Sequence, residues 1–107
     1  MAQVRSVIRF QVKPGREGEF EAAFAETGML TRPRDVPGFV GAELVRGLEG
    51  QGGYLVIGTW TDEQAYREWQ RRSASGAPAG ALARLLETLE NPKPGVLYEV
   101  VANSDSL

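Results

Sequence analysis

In the stretch Tyr54-Leu55-Val56-Ile57-Gly58-Thr59-Trp60-Thr61-Asp62-Glu63-Gln64-Ala65-Tyr66-Arg67-Glu68-Trp69, a β-branched and aromatic run gives way to helical spacing. The run over 54–60 reads as a strand. Thr61-Asp62 is a helix N-cap signal with acidic residues in the first turn, and it opens a helix over 62–72. That helix sets Ala65 and Trp69 one turn apart on one face, with Tyr66 beside them. The strand-to-helix corner thus gathers two tryptophans and a tyrosine in a chain without histidine or cysteine. The usual nucleophiles, proton shuttles and soft metal ligands are missing.

Working upstream, seven residues from Gly47 to Gly53, four of them glycine, separate this strand from another over 39–46. They read as a hairpin connection and not as a phosphate cradle, because no helix N-terminus follows to bind an anion. Residues 4–12 alternate: Val4, Ser6, Ile8, Phe10 and Val12 point one way, and Arg5, Val7, Arg9 and Gln11 the other. Lys13-Pro14-Gly15 breaks that strand. A helix over 16–30 follows, with Phe20, Ala23, Phe24 and Thr27 on one face and Glu17, Glu19 and Glu21 near its positive end. Residues 31–38 carry two prolines and read as a loop. Downstream, 73–80 is a small-residue linker, read as a plain connector or a mobile lid. Residues 81–89 are helical, with Leu82, Leu85, Leu86 and Leu89 on one side; Asn91-Pro92-Lys93-Pro94-Gly95 ends them, 96–101 is the last strand, and 102–107 a frayed tail.

Strand, helix, strand, strand, helix with an extension, strand is the order of an α+β, ferredoxin-like split βαβ fold with one antiparallel sheet. Right-handed crossovers place the first and third strands in its middle. The helices cover one face. The other should then be polar, yet Leu55, Ile57 and Thr59 oppose Tyr54, Val56, Gly58 and Trp60, and both sets are mostly apolar. The expectation is a homodimer in which a second copy covers the bare face.

At 107 residues the chain is expected to be a single domain over 1–107. A formal net charge of −2, with no basic stripe, argues against a nucleic-acid partner. No apolar run reaches membrane-spanning length, and the start Met1-Ala2-Gln3-Val4-Arg5 has no signal-like segment, so a cytoplasmic location without a membrane partner is expected.

Several pieces in order resemble the antibiotic biosynthesis monooxygenase family of dimeric α+β-barrel proteins. They are Phe10-Gln11-Val12-Lys13-Pro14-Gly15-Arg16-Glu17 with Phe20-Glu21-Ala22-Ala23-Phe24, then Val36-Pro37-Gly38-Phe39, then the strand 54–60 and Ala65-Tyr66-Arg67-Glu68-Trp69. The resemblance implies one of two chemistries. One group looks like cofactor-free monooxygenases that convert aromatic polyketide phenols or anthrones to quinones with dioxygen, the substrate supplying the electrons. The other looks like haem-degrading oxygenases, which use an asparagine on the first strand, a tryptophan on the second long helix and a histidine after it. Trp69 matches that tryptophan, but no histidine stands near Ala79, and the asparagines, Asn91 and Asn103, lie elsewhere. Quinone formation is therefore ranked first, with no cofactor and no metal, and a small aromatic substrate plus dioxygen as partners. A non-catalytic binding or stress-related dimer is the alternative from another class.

The resemblance implies catalytic roles for Trp60 and Tyr66 as hydrogen-bond donors and for Arg84 in holding an anion. Trp60 reads equally as a core aromatic, and Tyr66 as a packing tyrosine. With a phenol pKa near 10, Tyr66 suits a donor more than a base. Substrate-binding candidates are Arg9 and Gln11, the polar outliers of a central strand, together with Phe24, Trp69, Leu82 and Leu86 as walls. Arg9 has a competing reading as a salt-bridge partner of Glu43 or Glu99.

Overall fold

The computed structural model describes residues 3–76, 78–90 and 95–106. Its elements are β1 (Val4–Gln11), α1 (Glu17–Thr27), a 3₁₀ turn (Arg32–Asp35), β2 (Phe39–Arg46), β3 (Gly53–Trp60), α2 (Glu63–Gly76), α3 (Ala79–Glu87), β4 (Val96–Glu99) and a closing 3₁₀ turn (Ser104–Ser106). All strand pairs are antiparallel, in the order β2-β3-β1-β4, so β1 and β3 are central as the split βαβ pattern requires. The expected helix stop at Asn91-Pro92-Lys93-Pro94 lies outside the described residues, as does Leu107 at the end of the expected tail.

Local chemistry sets the boundaries. Asp62 Oδ1 accepts the Ala65 backbone N–H at 2.9 Å, the bond expected of an N-cap, so α2 starts where β3 ends. Gly28, in the left-handed region at φ 71°, closes α1 at Thr27, earlier than the expected residue 30. In the β2–β3 connection, Gly52 sits at φ 79°, and a Cβ there would lie 2.5 Å from the Val12 carbonyl oxygen. The glycine cluster is thus a tight hairpin packed on the end of β1.

The expected linker over 73–80 is corrected by the structure. Ser73 to Gly76 continue α2, because alanine and serine do not stop a helix; Pro78 bars its continuation and sits at the N-cap position of α3. Little of a lid remains among the described residues. β4 ends at Glu99, two residues before the expectation, although Val100 N–H still donates to the Gln3 carbonyl at 2.9 Å.

Val4, Ser6, Phe10, Tyr54, Val56, Gly58 and Trp60 face the helices and are buried. Two clusters form beneath them. Phe10, Phe20, Phe24 and Tyr54 anchor the first, under α1 and α3; Val4, Val36, Trp60, Ala65 and Tyr66 make the second, under α2. On the opposite face, Val7 opposes both Ile57 and Val96, and Arg5 opposes Tyr98. Val96 and Tyr98 are half exposed there, at 51% and 50%.

Candidate active site

Between the two clusters lies a cavity of about 380 Å³, within the size range of small-ligand sites. Its floor is the helix-facing side of β1 and β3, and its walls come from α2, α3 and the 3₁₀ turn. Leu86 lines it and is 45% exposed, so the chamber meets solvent at the edge of α3.

At the floor Ser6 and Gly58 are direct cross-strand partners. Trp60 Nε1 donates to Ser6 Oγ at 3.0 Å, and both residues are buried. A Cβ on Gly58 would lie 2.6 Å from Ser6 Oγ and 2.8 Å from Trp60 Nε1, so only glycine leaves space for this bond. The indole is held edge-on by Phe39, ring centroids 5.1 Å apart, and by Tyr66 at 5.6 Å. Because Ser6 Oγ accepts the indole proton, its own O–H is left to donate, and no acceptor for it stands among the described residues.

Tyr66 repeats the pattern. Its hydroxyl accepts from Gln70 Nε2 at 3.2 Å and keeps its own proton to give. Burial pushes the phenol pKa above its ordinary value, against a smaller opposing pull from Arg67 and Gln70, so the hydroxyl stays protonated at neutral pH. A Cβ on Gly95 would come within 2.9 Å of this hydroxyl, so the residue before β4 also leaves it room.

On the far wall the Arg32 guanidinium stacks over Trp69, 5.0 Å from the ring centroid. It donates from Nε to the Thr27 carbonyl at 2.9 Å and from Nη1 and Nη2 to the Ser73 carbonyl at 3.3 and 3.4 Å. The arginine thereby ties the C-terminal ends of α1 and α2 together.

Of the expected residues, Trp60, Tyr66, Trp69, Leu82 and Leu86 line the chamber; Phe24, Arg84, Arg9 and Gln11 do not. Phe24 is sealed in the first cluster, its ring 6.0 Å from Phe20. Arg84 falls on the far side of α3 from the leucine stripe, where it pairs with Glu26. Arg9 and Gln11 lie on the opposite face of the sheet. Gln11 donates to the Gln51 carbonyl at 2.9 Å, bracing the hairpin. Arg9 stands exposed opposite Leu55 and pairs with neither Glu43 nor Glu99. Glu43 is registered to Ile57, and Glu99 is paired with Val4, which faces the helices.

Ser6, Arg32 and Gln70 line the chamber and are not among the expected residues. Ser6 carried a signal, being the one polar residue on the helix-facing side of β1. Arg32 carried none, since its neighbours Thr27 and Ser73 meet only in three dimensions.

The model of the family described as antibiotic biosynthesis monooxygenase matches residues 3–81. The chain belongs to that family. A heme oxygenase (mycobilin-producing) of Mycobacterium tuberculosis is 31% identical over 85 residues, 79% of each chain. Among solved structures, SnoaB, a cofactor-independent oxygenase from Streptomyces nogalater, is 29% identical with a TM-score of 0.65, covering 97% of this chain and 98% of that one. The heme-degrader MhuD of Mycobacterium tuberculosis, at 24% identity and a TM-score of 0.69 over 94% of this chain and 97% of that one, shares the fold.

Haem is therefore a group the family brings into question. Histidine, thiolate, methionine and tyrosinate are the protein ligands to haem iron. The chain has no histidine or cysteine, and among the described residues the chamber offers only the Met29 thioether and a Tyr66 phenol that burial keeps protonated. These residues do not fit a histidine-ligated haem.

Proposed function

We propose that this family member is a cofactor-independent oxygenase that converts an aromatic phenol or anthrone to a quinone with dioxygen, and that it works as a homodimer. One observation carries the reading. Two hydroxyls, Ser6 and Tyr66, each accept a hydrogen bond from a fixed neighbour and so present a proton to a mostly apolar chamber. The likeness to SnoaB supports the reaction class. The apolar patch of Val7, Ile57, Val96 and Tyr98 on the outer face of the sheet supports the dimer.

The guest supplies the electrons. It loses a C–H proton to water and becomes a carbanion. Dioxygen takes electrons from that carbanion in one-electron steps and forms the new C–O bond. The peroxide anion that results receives a hydrogen bond and then a proton from water; the same carbon gives its second C–H proton to water as the O–O bond breaks, and the departing hydroxide is protonated to water, leaving a carbonyl. Overall a CH₂ group and O₂ become C=O and H₂O.

The chamber residues act where charge appears. Ser6 O–H, polarised by the Trp60 N–H, and Tyr66 O–H stabilise the anion and the peroxide. The apolar walls keep water from competing for these hydrogen bonds. Trp60 thus acts through Ser6, since its own proton is already committed.

The test uses 1,8-dihydroxyanthrone and follows oxygen uptake and quinone absorbance above the uncatalysed rate. Trp60→Phe and Tyr66→Phe are each expected to slow turnover by about ten- to hundredfold, the usual worth of one positioned donor or proton-transfer group. Circular dichroism should be unchanged. Unaltered rates in both variants remove these residues from the mechanism.

A further inference from the structure

The charge lining the chamber is one-sided. Arg32 is the only charged residue on the wall, and no Asp or Glu lines it among the described residues. Nor does Arg32 form an ion pair elsewhere among them: its recorded partners are the two helix-end carbonyls and the Trp69 ring. Of the five guanidinium N–H groups, three are spent on carbonyls, which leaves one on each terminal nitrogen.

The position is also built. Gly28 and Gly76 flank the side chain. A Cβ at Gly76 would lie 2.6 Å from Arg32 Nη1, and one at Gly28 3.0 Å from Arg32 Cγ. Trp69 supports the guanidinium from its face. A preorganised cation on a half-dry apolar wall is a poor neighbour for a neutral hydrocarbon. It is a strong one for an anion, because little water screens the pair and the fork geometry suits two oxygens.

We infer that Arg32 reads a carboxylate on the guest, so that the substrate class is an aromatic phenol or anthrone bearing an acidic side group. The aromatic part of this statement rests on the oxygenase reading; the acidic part rests on Arg32 alone. Guest binding would then have two polar anchors on different walls, the hydroxyls of Ser6 and Tyr66 for the reacting oxygen and Arg32 for the acid. Tying two helix ends is the competing account of this arginine, and it predicts no preference for ligand charge.

Anthraquinone-2-carboxylate and its neutral amide are the probes, titrated into the full chain and followed by quenching of tryptophan fluorescence. The acid is expected to bind about tenfold or more tightly than the amide, as a charge-assisted hydrogen-bond pair allows. Added salt should weaken the acid and not the amide. In Arg32→Gln the ratio should fall to about one, and Arg32→Lys should keep part of it. Equal affinities in the unmodified protein, absence of binding by either probe, or a ratio that survives Arg32→Gln overturns the inference. Should Arg32→Gln fail to fold, the acid-to-amide ratio, its salt dependence and Arg32→Lys decide. Failure of oxygen uptake with 1,8-dihydroxyanthrone counts against the oxygenase reading and leaves this ratio intact, so the two failures are distinguishable.

Discussion

The helix–sheet interface has a filled half and a hollow half. Under α1 and α3, Phe10, Phe20, Phe24 and Tyr54 pack with ring centroids 4.6 to 6.4 Å apart. Under α2, Trp60 and Tyr66 are buried but Phe39 and Trp69 only partly so, and the sheet beneath them carries Ser6 and Gly58. Phe10 opposite Tyr54 fills space. Serine opposite glycine leaves space and lines it with a donor. On the sheet itself, the difference comes down to a few side chains on β1 and β3.

The comparison predicts unequal responses to truncation. Phe20→Ala should cost about 3–5 kcal/mol in urea unfolding, because the first cluster cannot collapse around the lost ring. Leu82→Ala, at the partly buried edge of that cluster where it borders the chamber, should cost under about 2 kcal/mol. Equal losses would erase the distinction.

A smaller effect is expected at Ser6. Ser6→Ala leaves the buried Trp60 indole N–H without an acceptor and should cost about 1–3 kcal/mol, whereas Ser6→Ala in the Trp60→Phe background should cost less. Purely additive losses would show that the Ser6–Trp60 bond is not what holds the indole.

The smallest effect is on pH dependence, and it touches both halves. Burial raises the pKa of Tyr54 and of Tyr66, and the hydrogen bond to Glu21 raises that of Tyr54 further. A phenol that titrates higher in the folded state contributes stability that is fully present below the unfolded value of about 10 and is lost as pH rises through the folded value. Urea midpoints should therefore be flat from pH 7 to 9 and fall above pH 10, less steeply in Tyr66→Phe. A midpoint that rises with pH there contradicts the burial of both phenols.

Much of this was legible along the chain. Alternation in 4–12 gave β1 and its facing, and Asp62 marked the start of α2 before its bond to Ala65 was seen. Trp60, Tyr66 and Trp69 were found because one strand end and one helix face place them together. What escaped depended on where elements turn relative to one another. Arg84 and Arg32 look alike as exposed-type residues beside apolar runs, yet α3 turns Arg84 toward Glu26 and the 3₁₀ turn brings Arg32 under two helix ends. Arg9, a polar outlier of a central strand, reads as a substrate anchor or a salt-bridge partner; the face on which it lies is open within one chain. Alternation places Ser6 on the same side as Val4, Ile8 and Phe10, and only the indole above it shows its use.

The most direct measurement is a nuclear magnetic resonance titration with 1,8-dihydroxyanthraquinone, a mimic of the proposed product. The account predicts that the Trp60 and Trp69 indole N–H signals and the methyl signals of Val56 and Leu82 shift together, while those of Val12 and Val45 stay in place. Shifts centred on the outer face of the sheet, or none at the indoles, would contradict it.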